Sequence, residues 1–380
     1  MTGKRILSLD VLRGMTIVGM IIVNNPGSWA NIFAPLRHAE WNGCTPTDLV
    51  FPFFIFCMGT AMYLSYRKFD FRLTLHTAWH TIYRGALILL IGWALSWFGM
   101  ALSHVCAGDG VYYSLVQFPI EHMRYMGVFP RLGIVSALAG LLLLLCKPKG
   151  IPFVAAALLI GYCILQSVTD SFELDADNVV ARVDVALLGE QHMYHKGGIA
   201  FDPEGLLSTI PCVAHCLIGA IFGSLLMSSG QQEVRIYRVQ LLGAVMLFMG
   251  FLLDYAYPIN KSMWSASYVF LTCGLAALLL GVFTWLIDLR GFHRWSVFFE
   301  SFGVNPLLMF CCSAILVYIM RVIRFTINET TYNVWGAWYN LIMQPWLGDK
   351  WGSLACAVSL VVILWAIAWP LYRKQIYIRI

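Results

Sequence analysis

A histidine and several polar side chains are gathered in the eleven residues from His38 to Asp48, which have the sequence HAEWNGCTPTD. Apolar runs at 15–23 and 49–62 flank this segment. The segment therefore lies where the chain leaves one membrane-length run and enters the next. A histidine in such a place is a candidate acid or base, because an imidazole titrates near neutral pH.

The polar neighbours of this histidine have either chemical or structural interpretations. The amide of Asn24 can orient His38 or donate to a reacting carbonyl, or it is a polar helix end that meets water. Trp41 can stack on a sugar ring or anchor the segment at the membrane interface. The pattern from Thr45 to Asp48 predicts a helix start, which gives Asp48 a structural role of its own.

Further charged side chains lie close to predicted membrane helices. Arg124 and Arg131 are seven apart, so both can face one cavity and contact a phosphate or carboxylate, or pair with an acidic residue. Glu204 opens a helix, where an acid is favoured by the helix dipole. A tight turn at 258–262 carries Lys261. Asp10 and Arg13 are three apart and form either an anion pocket or an ion pair.

The composition indicates an α-helical protein that crosses the membrane many times. Of 380 residues, 59% are hydrophobic and 12% charged, and the mean hydropathy is +0.73. Soluble domains carry about twice that charge. The net charge of +5 is spread over short loops, so no nucleic-acid partner is expected. The cysteines lack metal-site spacing, and no metal is expected. The first apolar run carries Asp10 and Arg13 without a cleavage site, so no cleavable signal peptide is expected.

About ten spans within a single domain, 1–380, are predicted from the apolar runs. The connections at 102–127, 169–203 and 321–350 are long and are expected on one face. No internal repeat supports an inverted-repeat transporter. The predicted spans are 8–27, 48–66, 77–101, 128–146, 151–168, 204–228, 237–257, 264–287, 299–320 and 351–372.

Lys and Arg are more frequent on the side of the two termini, which predicts that both termini are cytoplasmic. His38 and the long loops then lie on the opposite face. The connection at 169–203 is acidic, and an acidic vestibule would attract a cationic substrate such as an amine. The alternative is that these acids only keep an exposed loop soluble.

Several stretches resemble the heparan-α-glucosaminide N-acetyltransferase family of transmembrane acetyltransferases. They keep the family's order over almost the whole chain, and the pattern HAxWNGxTxxDLVFPxFxFxMG is specific. Asn24 matches the family's asparagine in VNY, whereas Asn25 departs from it. The stretches are 8–14, 23–25, 38–59, 124–133, 201–210, 258–269 and 372–380.

The resemblance implies transfer of an acetyl group from cytoplasmic acetyl-CoA to a terminal glucosamine on the far side of the membrane. It places the catalytic histidine on His38 and suggests a homodimer. Because the chain lacks the large lumenal region of the lysosomal enzyme, it resembles a member from a bacterial inner membrane, with His38 toward the periplasm.

Amide formation from a thioester needs a base and stabilisation of an oxyanion. We assign His38 as the base and Asn24 as its orienter or as the oxyanion donor. The side chains assigned to the sugar are Trp41, Asn42, Asp48, Glu204 and Lys261. The cations assigned to the phosphates of acetyl-CoA are Arg13, Arg124, Arg131, Arg373, Lys374 and Arg379.

Three alternatives stay open at this point. The acetyl group can pass through an acetyl-histidine intermediate instead of moving directly. The protein can be a permease for amino sugars in which His38 couples protons. It can also be an O-acyltransferase that acts on hydroxyl groups of envelope glycans.

Overall fold

The computed structural model describes residues 6–378, and α-helices dominate it. Two short antiparallel hairpins accompany them, β1 (His195–Lys196) with β2 (Ile199–Ala200) and β3 (Arg324–Ile327) with β4 (Thr330–Asn333). The predicted all-α class is confirmed. The helices are α1 (Leu7–Asn24), α2 (Val50–Tyr66), α3 (Leu75–Ala107), α4 (Phe118–His122), α5 (Val128–Val168), α6 (Val179–Leu188), α7 (Thr209–Leu226), α8 (Gln232–Asp254), α9 (Ala266–Phe283), α10 (Val297–Gly303), α11 (Pro306–Val322), α12 (Val334–Ala337), α13 (Gln344–Leu347) and α14 (Asp349–Arg373).

Eight helical elements in the described part of the chain are long and apolar enough to cross a membrane. The count rises to nine if α10 and α11, which meet at 84°, form one broken span. The break lies at Asn305-Pro306, inside the predicted span 299–320. Its cause is local, because Pro306 has no amide proton for the preceding turn. The class of polytopic membrane protein is therefore confirmed.

The 41-residue helix α5 contains two of the predicted spans, 128–146 and 151–168. Lys147 between them is not helical, with φ 54° and ψ 166°. Arg131 lies over the ring of Trp264, and the hydroxyl of Tyr162 donates to the carbonyl oxygen of Met263 at 2.7 Å. A straight helix would separate residues 131 and 162 by about 46 Å. The chain therefore turns back at Lys147, and the two predicted spans are separate passes.

The three long connections lie on one face, as predicted, and we call it the His38 face. The Trp41 indole donates to the Phe172 carbonyl at 2.9 Å, which joins the His38 loop to the connection at 169–203. The Trp335 indole donates to the Pro26 carbonyl at 3.1 Å, which brings in the connection at 321–350. His192 Nδ1 lies 2.9 Å from the carbonyl oxygen of Met123, which joins the connection at 169–203 to the one at 102–127. These contacts build a roof of loops over the helix ends.

Close packing between α2 and α7 fixes the helix that begins directly after Asp48. A Cβ atom at Gly59 would lie 1.9 Å from the carbonyl oxygen of Cys216. A Cβ atom at Gly219 would lie 2.3 Å from the carbonyl oxygen of Phe56. Small residues allow helix backbones to approach in this way within a membrane. The start of α2 is thereby held on a rigid support.

Candidate active site

Asp48 connects the start of α2 to His38. Its side chain is 1% exposed, and its Oδ2 accepts from the Thr45 amide at 3.1 Å, the Thr45 hydroxyl at 3.0 Å and the Ala39 amide at 3.0 Å. The predicted capping box of Thr45 and Asp48 is confirmed. Since one carboxylate oxygen is used in the helix start, the other is free to face His38.

His38 lies 2.6 Å from this second oxygen, measured from Nδ1 to Oδ1 of Asp48. The Lys261 Nζ is 3.1 Å from the same Nδ1 and 3.3 Å from Oδ1. A single ring nitrogen cannot donate to Asp48 and accept from Lys261 at once. We assign the Nδ1 proton to the Asp48 bond, because a carboxylate can only accept, and Lys261 then donates to the same oxygen. Nε2 is left unprotonated, on a side chain that is 48% exposed.

Lys261 reaches His38 because its loop is joined to the His38 loop. The Gly43 amide donates to the Ile259 carbonyl at 2.7 Å, and the buried Asn260 donates to the side-chain oxygen of Asn42 at 3.2 Å. The predicted position of Lys261 near the vestibule therefore agrees with the geometry. Asn42 uses its side-chain oxygen in this bond and is exposed, and its assignment to the sugar stays a prediction. Asn260 was missed, because a single asparagine in a turn gives no signal for a distant partner.

Trp41 contacts the side chain of Lys196. The Lys196 Nζ lies 5.3 Å from the centre of the Trp41 ring and donates to the Ser262 hydroxyl at 2.7 Å. Burial, followed by the charge of Lys261, lowers the pKa of Lys196. A sugar that stacks on Trp41 must therefore use the face that Lys196 does not cover. Sequence reasoning missed Lys196, because its hairpin lies inside a connection that was interpreted only by its acids.

Arg124 pairs with acids on the His38 face. Its Nε donates to Asp202 at 2.7 Å and its Nη2 donates to Glu204 at 2.6 Å. Burial opposes the charge of Arg124, but the two carboxylates outweigh it and raise the pKa of the guanidinium. Although burial acts to raise the pKa of Glu204, the charge of Arg124 lowers it. The assignments of Arg124 to a CoA phosphate and of Glu204 to the sugar do not fit this pair, which occupies both side chains.

Arg131 lies below this pair and is fully buried. Its Nη2 donates to the Gly205 carbonyl at 2.8 Å and to the Ser208 hydroxyl. Arg131 and Arg124 both donate hydrogen bonds to the segment at 202–208, in keeping with their seven-residue spacing. A side chain with no exposed surface on the His38 side does not fit the assignment to a CoA phosphate at the other membrane face.

Asp184 holds the same segment from α6. Its Oδ1 accepts from the amides of Leu206 at 3.1 Å and Leu207 at 2.9 Å. The carboxyl is fully buried, and this burial raises its pKa to about 6. Sequence reasoning treated Asp184 as one of several loop acids. Its amphipathic helix was the signal that could have separated it from the solvated ones.

Asn24 does not contact His38. It is the exposed last residue of α1, and within residues 6–378 no hydrogen bond reaches its side chain. The neighbouring Asn25 is buried and donates to the Ile21 carbonyl at 2.9 Å. The side chain that is hydrogen-bonded to His38 is therefore Asp48 and not Asn24. Asp48 is in turn too buried for its assigned contact with the sugar.

A cleft of about 450 Å³ lies beside His38. Its volume falls within the range of small-molecule sites, about 300–1,000 Å³. The nearby Cys44 thiol is a poor competing nucleophile, because burial and then Asp48 raise its pKa to about 12. The residues that line the cleft are Val23, Trp29, Ala30, Ile32, Leu36, Arg37 and His38.

The chain is similar to two curated acetyltransferases. It is 27% identical to the heparan-alpha-glucosaminide N-acetyltransferase of Homo sapiens over 362 residues, which cover 80% of this chain and 52% of that protein. The corresponding protein of Mus musculus is 25% identical over 81% of this chain and 53% of its own length. The chain thus spans about half the length of the curated relatives it matches. No protein-family profile matches it.

Four further cations were assigned to the phosphates of acetyl-CoA, and three of them lie within the described residues. Arg13 pairs with Asp10 at 2.5 Å and donates to the Gly303 carbonyl at 2.8 Å, so the predicted ion pair is present. Arg373 and Lys374 are exposed at the end of α14, on the face opposite to His38. Arg379 lies outside the described residues. Within residues 6–378, no three His, Cys, Asp or Glu side chains are grouped as metal ligands would be.

Proposed function

We propose that this protein is a membrane-embedded N-acetyltransferase that moves acetyl from acetyl-CoA to the amine of a glucosamine-type sugar. The observation that carries the proposal is the His38 imidazole, held at Nδ1 by the buried Asp48, with Nε2 exposed beside a cleft. The similarity to two N-acetyltransferases supports the reaction class. The sugar acceptor belongs to the proposal, since the chain spans about half of those relatives.

The chemistry follows from the geometry of His38. The sugar nitrogen attacks the thioester carbonyl, a C–N bond forms, and Nε2 accepts the proton that the nitrogen loses. Asp48 stabilises the imidazolium as it forms, as a buried carboxylate does in a catalytic triad. When the C–S bond breaks, the imidazolium returns the proton to the leaving thiolate. Lys261, 3.1 Å from the His38 ring, is the nearest cation that can attract the tetrahedral oxyanion.

The donor is proposed to enter from the face opposite to His38. Val23, which lines the cleft, lies ten residues after Arg13, a rise of about 15 Å along α1. The pantetheine arm of CoA extends about 15–20 Å by the same bond-length arithmetic that fixes chain reach. A phosphate held at the level of Arg13 would thus leave the thioester near the cleft. Arg373, Lys374 and Arg379 remain candidates for the outer phosphates.

The orientation is part of the same proposal. The excess of Lys and Arg beside the termini favours cytoplasmic termini and a His38 face on the other side of the membrane. For a bacterial inner membrane, that side is the periplasm. A single catalytic domain over 1–380 and a homodimer stay predictions.

One assay separates the proposal from its rivals. Purified protein in lipid vesicles is given acetyl-CoA and glucosamine, and both free thiol and N-acetylglucosamine are measured. The expected result is formation of free thiol and N-acetylglucosamine in equal amounts, with loss of activity in His38→Ala. Asp109→Asn is the matched control, because the exposed Asp109 pairs with His104 at 2.6 Å, and neither residue lines the cleft.

Four outcomes would contradict parts of this proposal. No thiol release with any amino sugar, together with sugar uptake into the vesicles, would favour a permease. Acetyl esters without acetamides would favour the O-acyltransferase. Full activity of His38→Ala would remove His38 as the base. Acetylated protein formed before sugar is added would favour the acetyl-histidine route over direct transfer.

A further inference from the structure

Arg84 is an arginine inside the membrane helix α3. It lies in α3 on the side that carries the buried Thr81, Gly85 and Ile88. Within residues 6–378, no hydrogen bond or ion pair reaches its guanidinium. Its Nε is enclosed without a partner, whereas its two Nη atoms are not enclosed. A charged group at membrane depth is costly, and such groups usually pair or line a cavity.

A second arginine faces it. Arg13 on α1 lies within electrostatic range of Arg84, so the two positive charges repel each other. Arg13 is paired with Asp10, and in the described part of the chain no acid pairs with Arg84. The cluster of Arg13, Asp10 and Arg84 therefore carries one positive charge that no acid among residues 6–378 balances.

The cluster lies toward the face opposite to His38. Arg84 is also within electrostatic range of Tyr66, the last residue of α2 on that face. The hydroxyl of Tyr66 is hydrogen-bonded to Thr81 at 2.6 Å, one helical turn before Arg84. This bond holds the end of α2 against α3 and fixes the level of Arg84 near the rim of the bundle.

We infer that Arg84, together with Arg13, forms a phosphate-binding site that is reached from the face opposite to His38. An anion would balance the uncompensated charge. A guanidinium binds phosphate through two parallel N–H donors, and the Nη atoms of Arg84 are the ones left accessible. The phosphate can belong to CoA, in which case the inference rests on the proposed function, or to a lipid headgroup.

The first experiment measures binding without turnover. The affinities of the full-length protein for CoA and for pantetheine, which lacks the nucleotide phosphates, are compared in phosphate-free maltoside detergent. Arg84→Gln should weaken CoA binding at least tenfold and leave pantetheine binding unchanged. Arg238→Gln, an exposed arginine on the same face with a 3.4 Å bond to Ser228, should match the wild type. Native mass spectrometry counts bound phospholipid in the same three proteins.

A second measurement distinguishes a ligand-binding arginine from a structural one. Removal of an unpaired buried charge should leave the unfolding temperature of the ligand-free protein unchanged or higher. CoA should raise the unfolding temperature of the wild type, because a ligand that binds only the folded state stabilises it, and should not raise that of Arg84→Gln. A loss of unfolding temperature in ligand-free Arg84→Gln would indicate a structural role and overturn the inference.

The outcomes separate this inference from the proposed function. If CoA affinity falls, CoA is the source of the phosphate. If bound phospholipid is lost while CoA affinity stays constant, the source is a lipid, and the site stands even for a protein without acetyltransferase activity. If neither changes while the protein acetylates glucosamine, the inference fails and the proposed function stands.

Discussion

At the scale of single residues, Asp48 serves two purposes that the sequence had divided between two residues. Its Oδ2 completes the helix start, as its spacing from Thr45 predicted, and its Oδ1 holds His38. The second purpose was assigned to Asn24, because an asparagine amide can orient a histidine by hydrogen bonding. Local capping is encoded within four residues, whereas the direction of a side chain across a ten-residue loop depends on the folded loop.

The first prediction concerns this carboxylate. Asp48→Asn should lower kcat by about 10²–10⁴-fold, because an amide can donate to Nδ1 and so favour the tautomer whose Nε2 carries the proton. The acetyltransferase assay measures the change, and circular dichroism checks that the helices persist. Asp109→Asn should keep full activity. An unchanged kcat in Asp48→Asn would mean that Asp48 only starts α2.

At the scale of elements, the apolar runs predicted each membrane helix but not which helices pack together. The spans at 128–146 and 151–168 were correctly separated, because Lys147-Pro148-Lys149-Gly150 is a clear break. The pairing of α2 with α7 depends on Gly59 and Gly219, which lie 160 residues apart in the chain. Hydrophobicity alone carries no information about such long-range contacts inside a membrane.

The second prediction tests this helix contact. Gly59→Ala should destabilise the protein by about 1–3 kcal/mol, since the new methyl group would overlap the Cys216 carbonyl oxygen and force the helices apart. Thermal unfolding in detergent measures the effect. Gly161→Ala is the matched control, because a Cβ atom there would have no neighbour within 4 Å. Equal unfolding temperatures for the two variants would contradict the close contact between α2 and α7.

The third prediction concerns the segment at 202–208 and its support by Asp184. Burial raises the pKa of Asp184 to about 6, above the ordinary value of 3.8. The folded state therefore binds the proton more tightly than the unfolded state, and the free energy of unfolding should fall as the pH rises from about 4 to about 6. The loss should reach about 3 kcal/mol and persist above pH 6.

Asp184→Asn tests this dependence, because the amide keeps the acceptor for Leu206 and Leu207 but cannot ionise. Its unfolding temperature should fall less than that of the wild type between pH 4 and pH 7. Asp175→Asn, an exposed acid in the same connection, should keep the wild-type slope. A wild-type slope in Asp184→Asn would show that another group titrates in this range.

At the scale of the whole molecule, charge and hydropathy predicted the class, the passes and the loops that share a face. The charges near His38 were predicted less well. The acidic connection suggested an acidic vestibule, but Lys261 lies 3.1 Å from the imidazole, and Lys196 is within electrostatic range of Lys261 and Asp48. Arg124 is paired with the acids Asp202 and Glu204. Composition describes the sum of charges in a loop, whereas the field at a site depends on which of them pair.

The last prediction concerns the orientation of the bundle, on which transfer across the membrane depends. An epitope inserted after Gly110, in the roof of loops, should bind antibody on intact spheroplasts of a bacterial host. The same epitope after Gly230, between α7 and α8, should bind only after the membrane is permeabilised. Both glycines lie at open turns with φ above +80°, and nothing would crowd a Cβ atom at either, so the two insertions are matched in their effect on folding. The reverse pattern would place His38 on the cytoplasmic face, where acetyl-CoA and sugar would meet without crossing the membrane.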